Sequence, residues 1–432
     1  MSEWKEIVCK QTGETCFQLR HRSGLLIFVW PKKEYVTSYA TFATRYGAID
    51  SAFVEQGATE PTVLPAGIAH YLEHKLFENE ECDAFERYAK TGANANAYTS
   101  FDHTAYLFSC SQNLGESLEI LLDFVQDPYF TEQTVEKERG IIGQEIRMCE
   151  DSPNRRVFCN LLTALYQKHP VRVDIAGTVE SIAEITPELL YACYRHFYDL
   201  KNMVLAVAGN VTCEQVEEIA DRLLKPATAA VPARAPADEP REAAQSRIEE
   251  TMPVAAPLFA FGYKVPFDTQ NGVHGETAAG LAAASVLEEL LGGEASPLYA
   301  SLMDKGLINT SFDISYFTGP GYGAWVAEGE SADPDAVAAA VRGEIERLKR
   351  EGIDRDEFEA ARNAVYGDLI AQSDSVENCG DLLIEAYLGE REPFSLLDEV
   401  AALTVQSVEK RLQTDFDDAA FALSVIYPQK GE

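Results

Sequence analysis

Two histidines four residues apart, with a glutamate directly before the second, stand in the segment GIAHYLEHKLFE at residues 67–78. On a helix, positions i and i+4 lie about 40° apart around the axis, so His70 and His74 turn both imidazoles toward one side, where a single metal ion can take both. Glu73 is near enough to reach a water on that ion without binding the ion itself. A catalytic zinc usually has three protein ligands and a water, so one donor is still missing. The segment EKERGIIGQE offers two candidates, Glu138 and Glu145, seven apart and therefore nearly in phase on a helix. One of the pair would bind the metal and the other would orient its ligands.

These residues need elements to hold them. Pro65 and Gly67 precede a stretch with no internal breaker, which predicts a helix through His70–His74. Strand-like runs open each half of the chain, GLLIFVWP and YATFATRYGAID in the first and PLFAFGYKVP in the second. Long segments with apolar residues at three and four spacings follow, such as NLGESLEILLDFVQD and AVAAAVRGEIERLKREG, and MVLAVAGNV and FALSVIYP read as strands near the end of each half. Between the halves, PATAAVPARAPADEPREAAQ sets Pro226, Pro232, Pro236 and Pro240 among alanines and charges, a density that prevents both helix and sheet ladders.

The expected architecture is α+β with two homologous domains, each a mostly antiparallel sheet packed with helices. Residues 1–225 form the catalytic domain, 226–245 a proline-rich linker, and 246–432 a homologous inactive domain. Homology between the halves rests on FTEQTVEKERGIIGQEIRMCEDS (130–152), which aligns without a gap on IDRDEFEAARNAVYGDLIAQSDS (353–375). Glu145 falls opposite Asp368 and Glu138 opposite Ala361, and the second half has only His274, so the two-histidine motif is not repeated there.

Acidic residues outnumber basic ones 70 to 36, a net charge of -34, which argues against a nucleic-acid or anionic-membrane surface and favours polar or cationic peptide partners. The start MSEWKEIVCKQTGE has neither the basic nor the apolar region of a signal peptide, and no apolar run reaches a membrane span. A cytoplasmic location is therefore expected, and nine cysteines, an odd number without a C-x-x-C pair, do not look like a disulfide framework or a zinc knuckle and read as reduced thiols.

HxxEH is the inverted zinc-peptidase motif, and HYLEHKLFE followed by a glutamate pair resembles the insulinase/pitrilysin family, in particular bacterial members similar to the mitochondrial processing peptidase. The resemblance spans nearly the whole chain. It implies Zn2+ held by His70, His74 and Glu145, with Glu73 as general base and Glu138 supporting the site. ANANAYTSFDHTAYLF (93–108) resembles the family's N-A-x-T-S segment, an edge strand that pairs with extended substrate, and puts Asn96, Ala97 and Tyr98 on the substrate contact positions. His103 is there a flanking residue rather than a ligand. HPVRVDIAGTVESIAEIT and NMVLAVAGNV look like the segment that closes the first domain, where His169, Gly177 and Gly209 have structural roles. The activity implied is endopeptidase cleavage of unstructured peptides or processing segments.

One feature departs from the family. Active single-chain members carry an Arg and a Tyr in the second half that help hold the substrate and the developing oxyanion. The comparable stretch here, SLMDKGLINTSF, has Met303 and Asn309 at those places. The expected state is a heterodimer with a homologous zinc-free subunit that supplies both groups. The rival expectation is a non-catalytic peptide-binding or scaffold subunit, but such members typically lose motif residues, and His70, Glu73, His74, Glu138 and Glu145 are all present. A metal-storage protein or an unrelated acidic binding protein would leave the edge-strand match unexplained.

Overall fold

A computed structural model describes residues 3–54, 59–80, 82–228, 232, 234, 238–266 and 275–429, so His274 and part of the linker lie outside the described residues. In chain order the strands are β1 (Lys5–Val8), β2 (Thr15–Arg20), β3 (Leu26–Pro31), β4 (Ser38–Thr44), β5 (Ala52–Phe53), β6 (Thr62–Val63), β7 (Asn94–Thr99), β8 (Thr104–Cys110), β9 (Met203–Gly209), β10 (Arg247–Met252), β11 (Leu258–Lys264), β12 (Asp313–Gly319), β13 (Tyr322–Glu330) and β14 (Phe421–Pro428). They form a seven-stranded sheet of order β1-β2-β3-β9-β4-β8-β7, a five-stranded sheet of order β10-β14-β11-β13-β12, and the two-stranded pair β5-β6. In the two large sheets every pairing is antiparallel except β3 with β9 and β10 with β14. The fold is thus α+β with mostly antiparallel sheets.

The two sheets repeat one plan. In the first, β3 lies parallel to β9, which is followed outward by β4, β8 and β7; in the second, β10 lies parallel to β14, followed by β11, β13 and β12. Helices repeat as well. Glu132–Glu150 and Pro153–Leu165 begin 223 residues before their counterparts Arg355–Gln372 and Val376–Leu388, the offset of the sequence alignment.

The compact units do not run along the chain as two successive blocks. One comprises Met1–Ile146, Asp174–Arg234 and Ala371–Phe394; the other comprises Arg147–Val173, Ala235–Ile370 and Ser395–Glu432. Helix Val376–Leu388 packs on β3, β4 and β9 of the first unit, and helix Pro153–Leu165 packs on the equivalent β10, β11 and β14 of the second. Each half of the sequence therefore covers the other half's sheet. The central strands β4, β9 and β11 are buried along their whole length, so both of their faces are covered, which is why they read as nearly continuous apolar runs. Close fit at the exchanged helix needs a residue without a side chain. A Cβ on Gly380 would enter the ring of Tyr39 on β4, and the Tyr39 hydroxyl donates to Asp381 at 2.9 Å.

Around the linker, Arg234 binds both carboxylate oxygens of Asp50 at 2.7 Å within the first unit. Glu239, within the second unit, accepts backbone N–H bonds from Gln167, Lys168 and His169, each at 2.8 Å, and one from Lys264 Nζ at 2.7 Å.

Candidate metal centre

The motif helix spans Ile68–Leu76 and buries Ile68, Ala69, Tyr71, Leu72 and Leu76, leaving His70 and His74 on the opposite, partly open side. Its start is fixed by two glycines. Gly67 has φ 87° and Gly177 φ 71°, both left-handed, and a Cβ on either would strike the carbonyl group of Ala176 or Ala66 across from it. Ser181 Oγ adds a hydrogen bond to the Ala66 carbonyl at 2.8 Å. Further along, the Tyr71 hydroxyl donates to the Val135 carbonyl and so ties this helix to Glu132–Glu150. That second helix buries Val135, Ile142, Gly143 and Ile146, which turns Glu138 and Glu145 toward the histidines.

The ligating atoms of His70, His74 and Glu145 all lie within 4.8 Å of one another. His70 Nε2 is 3.5 Å from Glu145 Oε1, and His74 Nε2 is 3.5 Å from Glu145 Oε2. Two ligands each about 2.1 Å from a tetrahedral zinc stand roughly 3.4 Å apart, so two imidazole nitrogens and a carboxylate at these separations form a donor set that fits zinc. Glu138 accepts a hydrogen bond from His74 Nδ1 at 3.0 Å, which fixes the tautomer that leaves Nε2 as the free donor of an electron pair. Burial draws the His74 imidazole toward the neutral form, but the Glu138 bond and the carboxylates of Glu73 and Glu145 outweigh it and hold its pKa above the ordinary value. His70 Nδ1 is buried with no hydrogen-bond partner among the described residues.

Glu73 is 7% exposed, and burial raises its carboxyl above the usual range, against the opposing pull of a Thr99 hydrogen bond and the two imidazoles. Thr99 Oγ1 donates to Glu73 Oε2 at 2.6 Å. Thr99 is not among the residues expected from sequence to serve the site, although it is the threonine of the N-A-x-T-S segment. Strand alternation was the available signal: Ala95, Ala97 and Thr99 face inward, while Asn94, Asn96 and Tyr98 are exposed.

Those residues lie on β7, the outer strand of the first sheet, which among the described residues pairs only with β8. The motif helix packs against β7. Asn96 Oδ1 accepts from the Ala97 N–H at 2.9 Å. His103 bridges Asp102 at 2.7 Å and the Tyr98 hydroxyl at 3.2 Å, and it is not among the three converging donors. In the second unit, Met303 is exposed on helix Pro297–Asp304, and the Asn309 amide donates to Glu330 at 3.0 Å. Neither side chain offers a guanidinium or a phenol.

Residues 51–179 match the family Insulinase (Peptidase family M16), and residues 184–365 match Peptidase M16 inactive domain. The chain is 37% identical over 430 residues to the uncharacterized zinc protease YmfH of Bacillus subtilis (strain 168), covering 98% of this chain and 99% of that one. It is 26% identical to a protein of Arabidopsis thaliana named "Probable mitochondrial-processing peptidase subunit beta, mitochondrial", over 83% of this chain and 71% of that one. The crystal structure described as that of a "putative M16-like peptidase from Alicyclobacillus acidocaldarius" superposes with a TM-score of 0.89 at 33% identity, covering 99% of each chain.

Proposed function

The chain belongs to the insulinase family, peptidase family M16, and from that membership we propose that it is a zinc-dependent endopeptidase that cleaves unstructured peptides or processing segments. The observation that carries the reading is the convergence of His70, His74 and Glu145 beside a buried Glu73 and a Glu138 bonded to His74. His70 and His74 through Nε2, and Glu145 through its carboxylate, would hold the zinc. What zinc supplies when bound is Lewis acidity, which lets water be deprotonated near neutral pH and polarises a carbonyl.

The chain's own groups do the rest. Glu73 takes a proton from the attacking water and passes it to the leaving amine nitrogen as the C–N bond breaks, so the carboxylate is regenerated. Glu138 keeps His74 in the tautomer that can bind. The open edge of β7, with Asn96, Ala97 and Tyr98, takes the substrate backbone as an added strand, which selects extended segments over folded ones.

Full activity would need a homologous zinc-free partner that supplies the Arg and Tyr missing at Met303 and Asn309. That relation is supported by the likeness to a protein named as one subunit of a processing peptidase. Losing one oxyanion donor costs on the order of a hundred- to a thousand-fold in rate. Burial pushes the Cys16 and Cys193 thiols up to about 12, which keeps them protonated and unreactive; a cytoplasmic setting belongs to the same proposal. Among the described residues no helix is long and apolar enough to cross a membrane.

The test is zinc stoichiometry by atomic absorption, followed by cleavage of an unstructured peptide by wild type and Glu73→Gln, each with and without a candidate partner. One zinc per chain, slow cleavage alone, faster cleavage with the partner and none with Glu73→Gln is the expected pattern. Zinc bound without cleavage under any condition would favour a scaffold subunit, and full activity from the chain alone would refute the heterodimer.

A further inference from the structure

Resting on the peptidase reading above, we infer that Thr99 is a positioning residue for the general base: its hydroxyl holds Oε2 of Glu73, and so makes Oε1 the atom that accepts the proton.

The geometry decides where the Thr99 proton goes. Thr99 pairs with Thr104 across β7 and β8, and their hydroxyls stand 3.4 Å apart, so each is a possible partner of the other. Thr104, which is fully buried, already donates to the Tyr46 carbonyl at 2.8 Å. Its single proton is spent there, and its oxygen can only accept. Thr99 is left with two acceptors, Thr104 at 3.4 Å and the Glu73 carboxylate at 2.6 Å. The shorter bond, to the charged group, is the stronger one.

Oε2 is thereby committed, while Oε1 has no hydrogen-bond partner among the described residues and is not sealed from solvent. The remaining oxygen is free to meet water. The second consequence is a connection: the strand proposed to receive the peptide and the base proposed to serve the reaction are joined by one side-chain bond. A shift of β7 would move Glu73 with it. Displacing a reacting group by about 1 Å can cost on the order of a hundredfold.

The experiment compares Thr99→Val, which keeps the β-branch and loses the hydroxyl, with Thr99→Ser, which keeps the hydroxyl. Each is assayed on an unstructured peptide for kcat and KM, with zinc content measured in parallel. The expected result is kcat down about ten- to a hundredfold in Thr99→Val, KM and zinc unchanged, and most of kcat kept in Thr99→Ser. Equal kcat in wild type and Thr99→Val overturns the inference, as does an equal loss in both variants. A double-mutant cycle of Thr99→Val with Glu73→Ala, which removes the acceptor altogether, is read as denaturation midpoints of the zinc-free protein and reports on the bond without any turnover. Non-additive midpoints support it and additive ones overturn it. If the wild type cleaves nothing with or without a partner, the peptidase reading fails, and this cycle still decides whether Thr99 holds Glu73.

Discussion

At the residue scale the site depends on carboxylates that do different work from nearly the same place. Glu145 converges with the two imidazoles, whereas Glu138, seven residues earlier, bonds His74 from behind. Glu138→Gln keeps an acceptor but loses the charge, and it is expected to weaken zinc binding about 10- to 100-fold in a competition titration while the fold stays intact. A second residue makes a pH prediction far from the chemistry. Burial pulls the His169 imidazole down from 6.5 to about 4. A folded pKa below the unfolded one means that the neutral form is favoured by folding, so this stability is full above about 6.5 and is lost as pH falls toward 4, with a ceiling of about 3 kcal/mol. His169→Gln removes the titration. Its unfolding midpoint should decline less than that of the wild type between pH 7 and 4.5, as followed by circular dichroism.

Among the elements, the motif helix depends on a backbone crossing rather than on a side-chain cap, since Gly67 and Gly177 approach one another's chain with positive φ. Gly67→Ala should destabilise by on the order of 3 kcal/mol, combining left-handed strain with a blocked approach. Thermal melts and zinc titration of that variant should both report the loss, because the start of the helix carries His70. Much of this scale could be read from sequence. The histidine spacing, the phase of Glu138 and Glu145, and the alignment of 130–152 with 353–375 depend on local periodicity, and the two aligned helices begin at matching positions. The Gly67–Gly177 crossing and the Thr99 bond could not be, because each joins residues far apart in sequence whose meeting is decided by packing. Asn96, Ala97 and Tyr98 were assigned from the resemblance of their segment to the N-A-x-T-S edge strand, which marks where a substrate would lie but not what the inward-facing Thr99 will touch.

For the whole molecule, the division at the proline-rich stretch misses that helix Val376–Leu388 covers the first sheet and Pro153–Leu165 the second. No local pattern states which sheet a helix will cover. Residues 1–234 and 235–432 produced separately would each lack the helix that buries a central sheet. Neither piece is expected to unfold cooperatively alone, whereas mixing the two should restore one cooperative transition in calorimetry. A cooperative melt from either piece by itself would count against the exchange. The same exchange carries an implication for descent. Sheets with one strand order, each roofed by the other's helix, are what two identical chains would make by clasping one another, so a duplication that joined them end to end needed to invent no new interface. In the present chain the likeness stops at the metal site, because only the first half carries the paired histidines.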